Sequence, residues 1–244
     1  AHYPRPLRIS YSGDVLRVKS TTLNTDRQIT QVGAEIIGNI NYFLETEIIL
    51  IGLKTLSSLN IKNLSLDLNF PILKDSLLKN CPKSILFKVK EGIERKDLNF
   101  LKNINFPNKK DILNLMTNSC YFENSKSYLQ QLTENNQKNK SIIQLINIAK
   151  KIKENIFENN IIIDPLETNS FNYHDGITFT IFSKGLKEGV AKGGTYKTLT
   201  GEKATGISIY TSLINNIPNL LRKKSKILLK AFNFYDADRF IKDG

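Results

Sequence analysis

Residues 7–38 read LRISYSGDVLRVKSTTLNTDRQITQVGAEIIG. Ile9, Tyr11 and Val15 fall on one side of an extended chain, which is the period of a half-buried strand over residues 7–17. The polar run from Lys19 to Asp26 reads as a loop, and Gln28 to Ile37 as a second strand antiparallel to the first. The stretch therefore predicts a hairpin with a long tip. Side chains alternate along a strand, so Ile29, Gln31, Gly33 and Glu35 share one face. Gln31 and Glu35 then flank a gap of roughly 13 Å, at about 3.3 Å per residue. Gly33 between them is expected to leave an open floor where a small ligand approaches the backbone. An acceptor-only carboxylate beside an amide suits an amino group. The alternative is a solvated polar face on an edge strand.

Outward from the hairpin, Tyr42 to Leu59 carries Phe43, Ile48, Leu50, Ile51 and Leu56 at helical spacing, with Asn39 or Asn41 placed to cap its start. Leu64, Leu66, Leu68 and Phe70 alternate strictly with polar residues and predict a strand, which Pro71 closes while opening a helix. No period-two segment occurs from Ile72 to Asn160, so a helical insertion is expected over about 72–160, punctuated by Pro82, Pro107 and the linker Glu134 to Asn139. Its strongest element is Ser141 to Phe157, where Ile142, Leu145, Ile146, Ala149, Ile152 and Ile156 form one core-facing stripe. Strand signals return at Ile161–Ile163, Ile177–Ser183, Gly189–Tyr196 and Ile207–Ile209, before a helix from Ser212 to Leu221. Strands, a helical insertion, strands and a helix predict an α+β fold: an antiparallel sheet flanked by helices.

The chain has 244 residues, 40% apolar and 24% charged, enough for one large globular domain or one domain with an insertion. Its longest apolar runs, such as Ile48 to Leu53, fall short of the roughly 20 residues that cross a bilayer. The opening AHYPRPLRIS lacks a secretory pattern, so a cytoplasmic address without membrane attachment is expected. Cys81 and Cys120 form no Cys-x-x-Cys pair and read as buried thiols. His2 and His174 have no spaced partners, so neither a metal nor another cofactor is expected. The net charge of +12 favours anionic partners in principle. Its lysines are dispersed among Asn and Ile without an arginine-rich run, so a solvated face is expected in place of a nucleic-acid groove.

RISYSGDVLR with TQVGAEIIG resembles motif 2 of the class II aminoacyl-tRNA synthetases, in the form found in histidyl-tRNA synthetases and their regulatory-subunit paralogues. FNYHDGITFTIFSKG followed by AKGGTY resembles the two histidine-specific segments of that superfamily, and EKATGISIY resembles its motif 3. These segments stand in the family's order and span nearly the whole chain. The resemblance implies a class II synthetase-like core over residues 1–222 and a short tail over 223–244. It further implies that Gln31 and Glu35 contact histidine and that Arg17 matches the arginine that contacts a nucleotide α-phosphate. By the same resemblance, Tyr173, Gly193 and Gly194 are expected to belong to the same amino-acid pocket. The core starts just before motif 2, so the helix and strand of motif 1 are expected to be missing from it.

The departures from the synthetase pattern set the functional expectation. Where that pattern reads R-G-L-D-Y-Y-T-G, this chain has Asn169, Ser170, Phe171, Asn172, Tyr173, His174, Asp175 and Gly176. Where it reads G-G-R-Y-D, there are Gly193, Gly194, Thr195, Tyr196 and Lys197. The motif 3 arginine aligns with Leu213 and a glycine before it with Tyr210. Amino-acid activation needs fixed positive charge on a polyphosphate, and losing one such arginine typically costs about a thousandfold in rate. Adenylate formation is therefore not expected. The tail after Leu221 is also shorter than the roughly 50 residues of a domain, so an anticodon-binding domain is not expected within residues 222–244. The stretch DPLETNSFNYHDGITFTIFSKG with GEKATGISIY is similar to the ATP phosphoribosyltransferase regulatory-subunit family. Members of that family assemble with a short-form catalytic subunit, and the hetero-oligomer is feedback-inhibited by histidine. The resemblance thus implies a non-catalytic activator and sensor in histidine biosynthesis. A residual histidyl-tRNA synthetase-like enzyme and an RNA-binding paralogue are the alternatives.

Overall fold

A computed structural model describes residues 3–16, 27–135, 140–155, 160–167, 174–186 and 188–214. The first half of the chain gives β1 (Leu7–Leu16), β2 (Gln28–Ile37), α1 (Tyr42–Ser58) and β3 (Leu64–Asn69). Six helices follow, α2 (Pro71–Leu78), α3 (Lys83–Glu94), α4 (Leu98–Lys102), α5 (Lys109–Thr117), α6 (Phe122–Asn135) and α7 (Lys140–Asn155), with the two-residue β4 (Cys120–Tyr121) before α6. The remainder is β5 (Asn160–Ile163), β6 (His174–Ser183), β7 (Ala191–Lys197), β8 (Lys203–Tyr210) and α8 (Thr211–Ile214). The described strands form one eight-stranded sheet in the order β1-β2-β8-β7-β6-β3-β5-β4.

The hairpin forms, with Tyr11 opposite Gly33 and Leu16 opposite Gln28. However, β1 is an edge strand of the sheet, so Ile9, Tyr11 and Val15 are exposed and not half-buried as their alternation predicts. The sheet is not wholly antiparallel: β5 runs parallel to β3. The connection between them contains α2 to α7, and an excursion of that length lets the chain return in the same direction, which a hairpin cannot do. The helical stretch is likewise interrupted by β4, which pairs with β5 at the sheet edge. Cys120 on β4 is half-buried, so only Cys81 is the buried thiol expected.

Asn41 caps α1 by accepting hydrogen bonds from the Phe43 and Leu44 amides, while Asn39 turns the chain with a φ of 56°. The buried face of α1 differs from its apolar periodicity. Ile48, Ile49, Leu53 and Leu56 are buried, whereas Phe43 is 56% and Ile51 39% exposed. Gly52 sets that face, because a Cβ there would stand 2.2 Å from Ile207 Cδ1. The helix axis thus comes down on the sheet at a residue that carries no hydrophobic signal. Pro71 opens α2 in its first turn. On α7, Ile142, Leu145, Ile146, Ala149 and Ile152 are buried as one stripe. Ile156, the Lys19–Asp26 loop, residues 136–139 of the linker and everything after Ile214 lie outside the described residues. Among the described residues no helix is long and apolar enough to cross a membrane.

Alternation gives the sheet two different faces. Ile181 and Ile207 point toward α1 and help close the core behind the sheet. On the other face, the register aligns Glu35, Gly206, Gly194, Thr178 and Asn69 in one row across β2, β8, β7, β6 and β3. Beside it runs a second row of Gly33, Ser208, Lys192, Thr180 and Asp67. A sheet face with glycine at three of ten positions has few side chains to fill the space above it.

Candidate functional site

A pocket lies on this second face, lined by Glu35 of β2, Gly206 and Ser208 of β8, Lys192, Gly194 and Tyr196 of β7, Thr178 and Thr180 of β6, and Asn69 of β3. Tyr11, His174 and Tyr210 stand at its margins. Glu35 is anchored inside it: the Tyr196 hydroxyl donates to Glu35 Oε2 at 2.8 Å. One carboxylate oxygen thereby gains a fixed orientation. Its acceptor capacity is far from exhausted, since an ionised carboxylate has about four lone-pair sites.

The expected open floor at Gly33 is absent. The Tyr11 ring lies over it, so that a Cβ on Gly33 would fall 2.3 Å from Tyr11 Cζ. The Tyr11 hydroxyl meets Ser208 Oγ at 2.7 Å, and Gln31 Nε2 reaches the same hydroxyl at 3.5 Å. Gln31 and Glu35 thus flank an aromatic ring, and Gln31 acts on the pocket through Tyr11. His174 covers Gly194 in the same manner, its imidazole Cδ2 lying 2.7 Å from a Cβ built there. Gly193 faces the core, where Gly206 O and Phe179 Cζ stand 2.2 and 2.3 Å from its would-be Cβ. Of the sequence-derived candidates, Glu35, Gly193 and Gly194 therefore meet at one pocket and Gln31 adjoins it. Arg17 and Tyr173 lie outside the described residues, as does Asn169.

The residues at the altered motif positions fall in different places. Tyr210, standing where motif 3 has glycine, is 4% exposed and takes up room at the pocket margin. Leu213 is half-buried on α8 and brings no charge. Thr195 points the other way. It is buried behind the sheet, where its hydroxyl donates to Glu45 Oε1 at 2.6 Å. A cation at position 195 would therefore meet Glu45 and not a ligand in the pocket, so this replacement belongs to the core behind the sheet. Gln144 of α7 donates to the other Glu45 oxygen. Burial raises the Glu45 pKa, opposed by these two hydrogen bonds and by Lys203.

A polar network ties the insertion to the pocket's far wall. Lys96, in the left-handed turn after α3, holds Asp164 Oδ2 at 2.6 Å and Glu167 Oε2 at 3.5 Å. Asn69, a pocket residue, donates from Nδ2 at 3.4 Å both to the Asp164 carbonyl and to Asp67 Oδ1. Burial, with Asp164 and Glu167 adding repulsion, pushes the Asp67 pKa up to about 6. Tyr11, Asn69, Lys192 and Tyr196 were not singled out from sequence as ligand residues. Parity identifies two of them, since Lys192 and Tyr196 share the face of Gly194.

The profile of the histidyl-tRNA synthetase family matches residues 1–214. The chain belongs to the histidyl-tRNA synthetase family. The ATP phosphoribosyltransferase regulatory subunit of Rhodospirillum centenum is 29% identical over 214 residues, covering 86% of this chain and 55% of that protein. The chain thus spans about half the length of that curated relative. A solved structure described as an ATP phosphoribosyltransferase regulatory subunit/histidyl-tRNA synthetase from Bacillus halodurans superposes with a TM-score of 0.71 at 17% identity, covering 86% of this chain and 58% of that one. An ATP phosphoribosyl transferase (HisG:HisZ) complex from Thermotoga maritima matches with a TM-score of 0.67 at 21% identity, covering 85% and 75%. At these identities the two structures speak for the fold alone, a class II histidyl-tRNA synthetase-like sheet flanked by helices.

Proposed function

We propose that the chain is a non-catalytic regulatory subunit of ATP phosphoribosyltransferase, docking on a short-form catalytic subunit and sensing histidine in the pocket around Glu35. The observation that carries this reading is the contrast between that pocket and the motif 3 positions. Glu35 is kept and oriented by Tyr196, while Tyr210 and Leu213 stand at the motif 3 positions where a synthetase has a glycine and a phosphate-gripping arginine. The name of the Rhodospirillum centenum relative supports the same reading. Such a subunit acts by linkage: it binds the active arrangement of its partner more tightly than the inactive one, and a differential of a few kcal/mol suffices to switch activity. Histidine then inhibits by favouring the other arrangement.

The decisive experiment mixes the chain with a short-form catalytic subunit and follows phosphoribosyl-ATP. Stimulation on complex formation, reversed by histidine, is the expected result. A complex that forms without any gain in activity overturns the activator role. Histidine-dependent exchange of pyrophosphate into ATP by the chain alone would overturn its non-catalytic assignment.

A further inference from the structure

We propose that Lys192 is the carboxylate anchor of the amino-acid pocket. This rests on the reading of the Glu35 pocket as an amino-acid site and assigns the part of the ligand that meets its cationic side. Lys192 precedes Gly194 by two residues on β7 and therefore shares its face, and it lines the pocket directly. Glu35 stands on the opposite side, two strands away and one side-chain step along, with Gly206 and Ser208 between them. With strands about 4.8 Å apart and about 6.6 Å per two residues, the two Cα atoms are roughly 12 Å apart. An extended lysine and a glutamate reaching inward reduce that separation to the length of a small zwitterion. One end accepts, through the Glu35 oxygens ordered by Tyr196, and the other donates, through an ammonium. Between them Gly206 brings no side chain and Ser208 is held at the rim by Tyr11.

This polarity selects the ligand class. A molecule with N–H donors at one end and a carboxylate at the other satisfies both charges, whereas an amine lacking the carboxylate leaves Lys192 without a ligand counter-charge. A charge-assisted hydrogen bond from an ammonium to a carboxylate is roughly twice as strong as a neutral one, so the ligand that carries the carboxylate is favoured. Lys192 and His174 already hold interactions within the fold, so the carboxylate exchanges for an existing contact. Asp67 lies two strands from Lys192 in the same row, and the cation that acts on it is Lys96. A lysine serving only the fold would influence stability but would not discriminate between ligands.

The test is calorimetric titration of the full chain with histidine and with histamine, which differs by loss of the carboxylate. We expect the unmodified chain to bind histidine at least about tenfold more tightly than histamine. Lys192→Met should reduce histidine affinity by roughly ten- to a hundredfold, leaving histamine within about twofold, and Lys192→Arg should restore most of the preference. A thermal melt of each variant reports folding separately. Undiminished histidine preference in a folded Lys192→Met chain overturns the assignment while sparing the pocket. Absence of histidine binding by the unmodified chain overturns the amino-acid reading and the anchor together.

Discussion

Thr195 and Glu45 lie 150 residues apart in sequence, and their side chains are joined by a 2.6 Å hydrogen bond behind the sheet, with Gln144 of α7 closing on the same carboxyl. Three elements, β7, α1 and the last helix of the insertion, thus share one buried acid that is 1% exposed.

Removing that acid should loosen the insertion. Glu45→Ala strands the Thr195 hydroxyl and the Gln144 amide and opens a cavity, for an expected loss of about 2–4 kcal/mol. Glu45→Gln keeps an oxygen for one donor and the volume for packing, so a loss of about 1 kcal/mol is expected. Denaturant unfolding of both variants checks the order, and equal losses would show that the carboxylate's acceptor pair, and not its volume, decides.

Three glycines of the sheet differ in what surrounds them, and alanine substitutions should rank accordingly. Gly193→Ala would drive a methyl against the Gly206 carbonyl, which cannot move without breaking the sheet, so a loss of about 3 kcal/mol or failure to fold is expected. Gly33→Ala meets only the Tyr11 ring, which can swing away at the expense of its contact with Ser208, for about 1 kcal/mol. Gly13→Ala meets nothing within 4 Å and serves as the control. Thermal melts of the three variants read the ranking directly.

The contrast between Gly33 and Gly52 shows what the sequence could and could not convey. Period-two alternation located β2 and β3, and the stripe on α7 was equally plain, because each depends on neighbours within one element. Whether the space above Gly33 is open depends on Tyr11, which only the register of β1 places there. The buried face of α1 depends on Gly52 meeting Ile207, a contact between a residue without side chain and a strand 155 residues later. The parallel pairing of β5 with β3 is similarly non-local and leaves no trace in either strand. At the site, Glu35 was legible through its parity with Gly33. Lys192 and Tyr196 are legible by the same parity with Gly194.

Asp67 should make stability fall as pH rises through the window from about 4 to 6. Its folded pKa, about 6, lies above the ordinary 3.8, so the folded state binds the proton more tightly and folding is favoured while the group is protonated. That advantage is present near pH 4 and is lost as the carboxyl ionises beside Asp164 and Glu167. Asp67→Asn carries no charge and still offers Asn69 an acceptor. The variant should melt higher than the unmodified chain at pH 8, and the difference should shrink toward pH 4. A difference that is constant across this range would reject the ionisation of Asp67 as its cause.

Tyr196 and Glu35 should contribute to ligand affinity by separate routes. Glu35→Ala removes the acceptor itself and is expected to lower histidine affinity by about a hundredfold or more, since a charge-assisted hydrogen bond is worth roughly twice a neutral one. Tyr196→Phe keeps the carboxylate and the ring but frees the glutamate to rotate, so a loss of about tenfold is expected, with only about 1 kcal/mol of stability. In the double variant the two losses should not add, because an ordering hydroxyl has nothing left to order once the carboxylate is gone. Calorimetric titration of the four proteins closes this cycle. Additive losses would mean that Tyr196 touches the ligand itself, and unchanged affinity in Glu35→Ala would place the histidine site elsewhere in the chain.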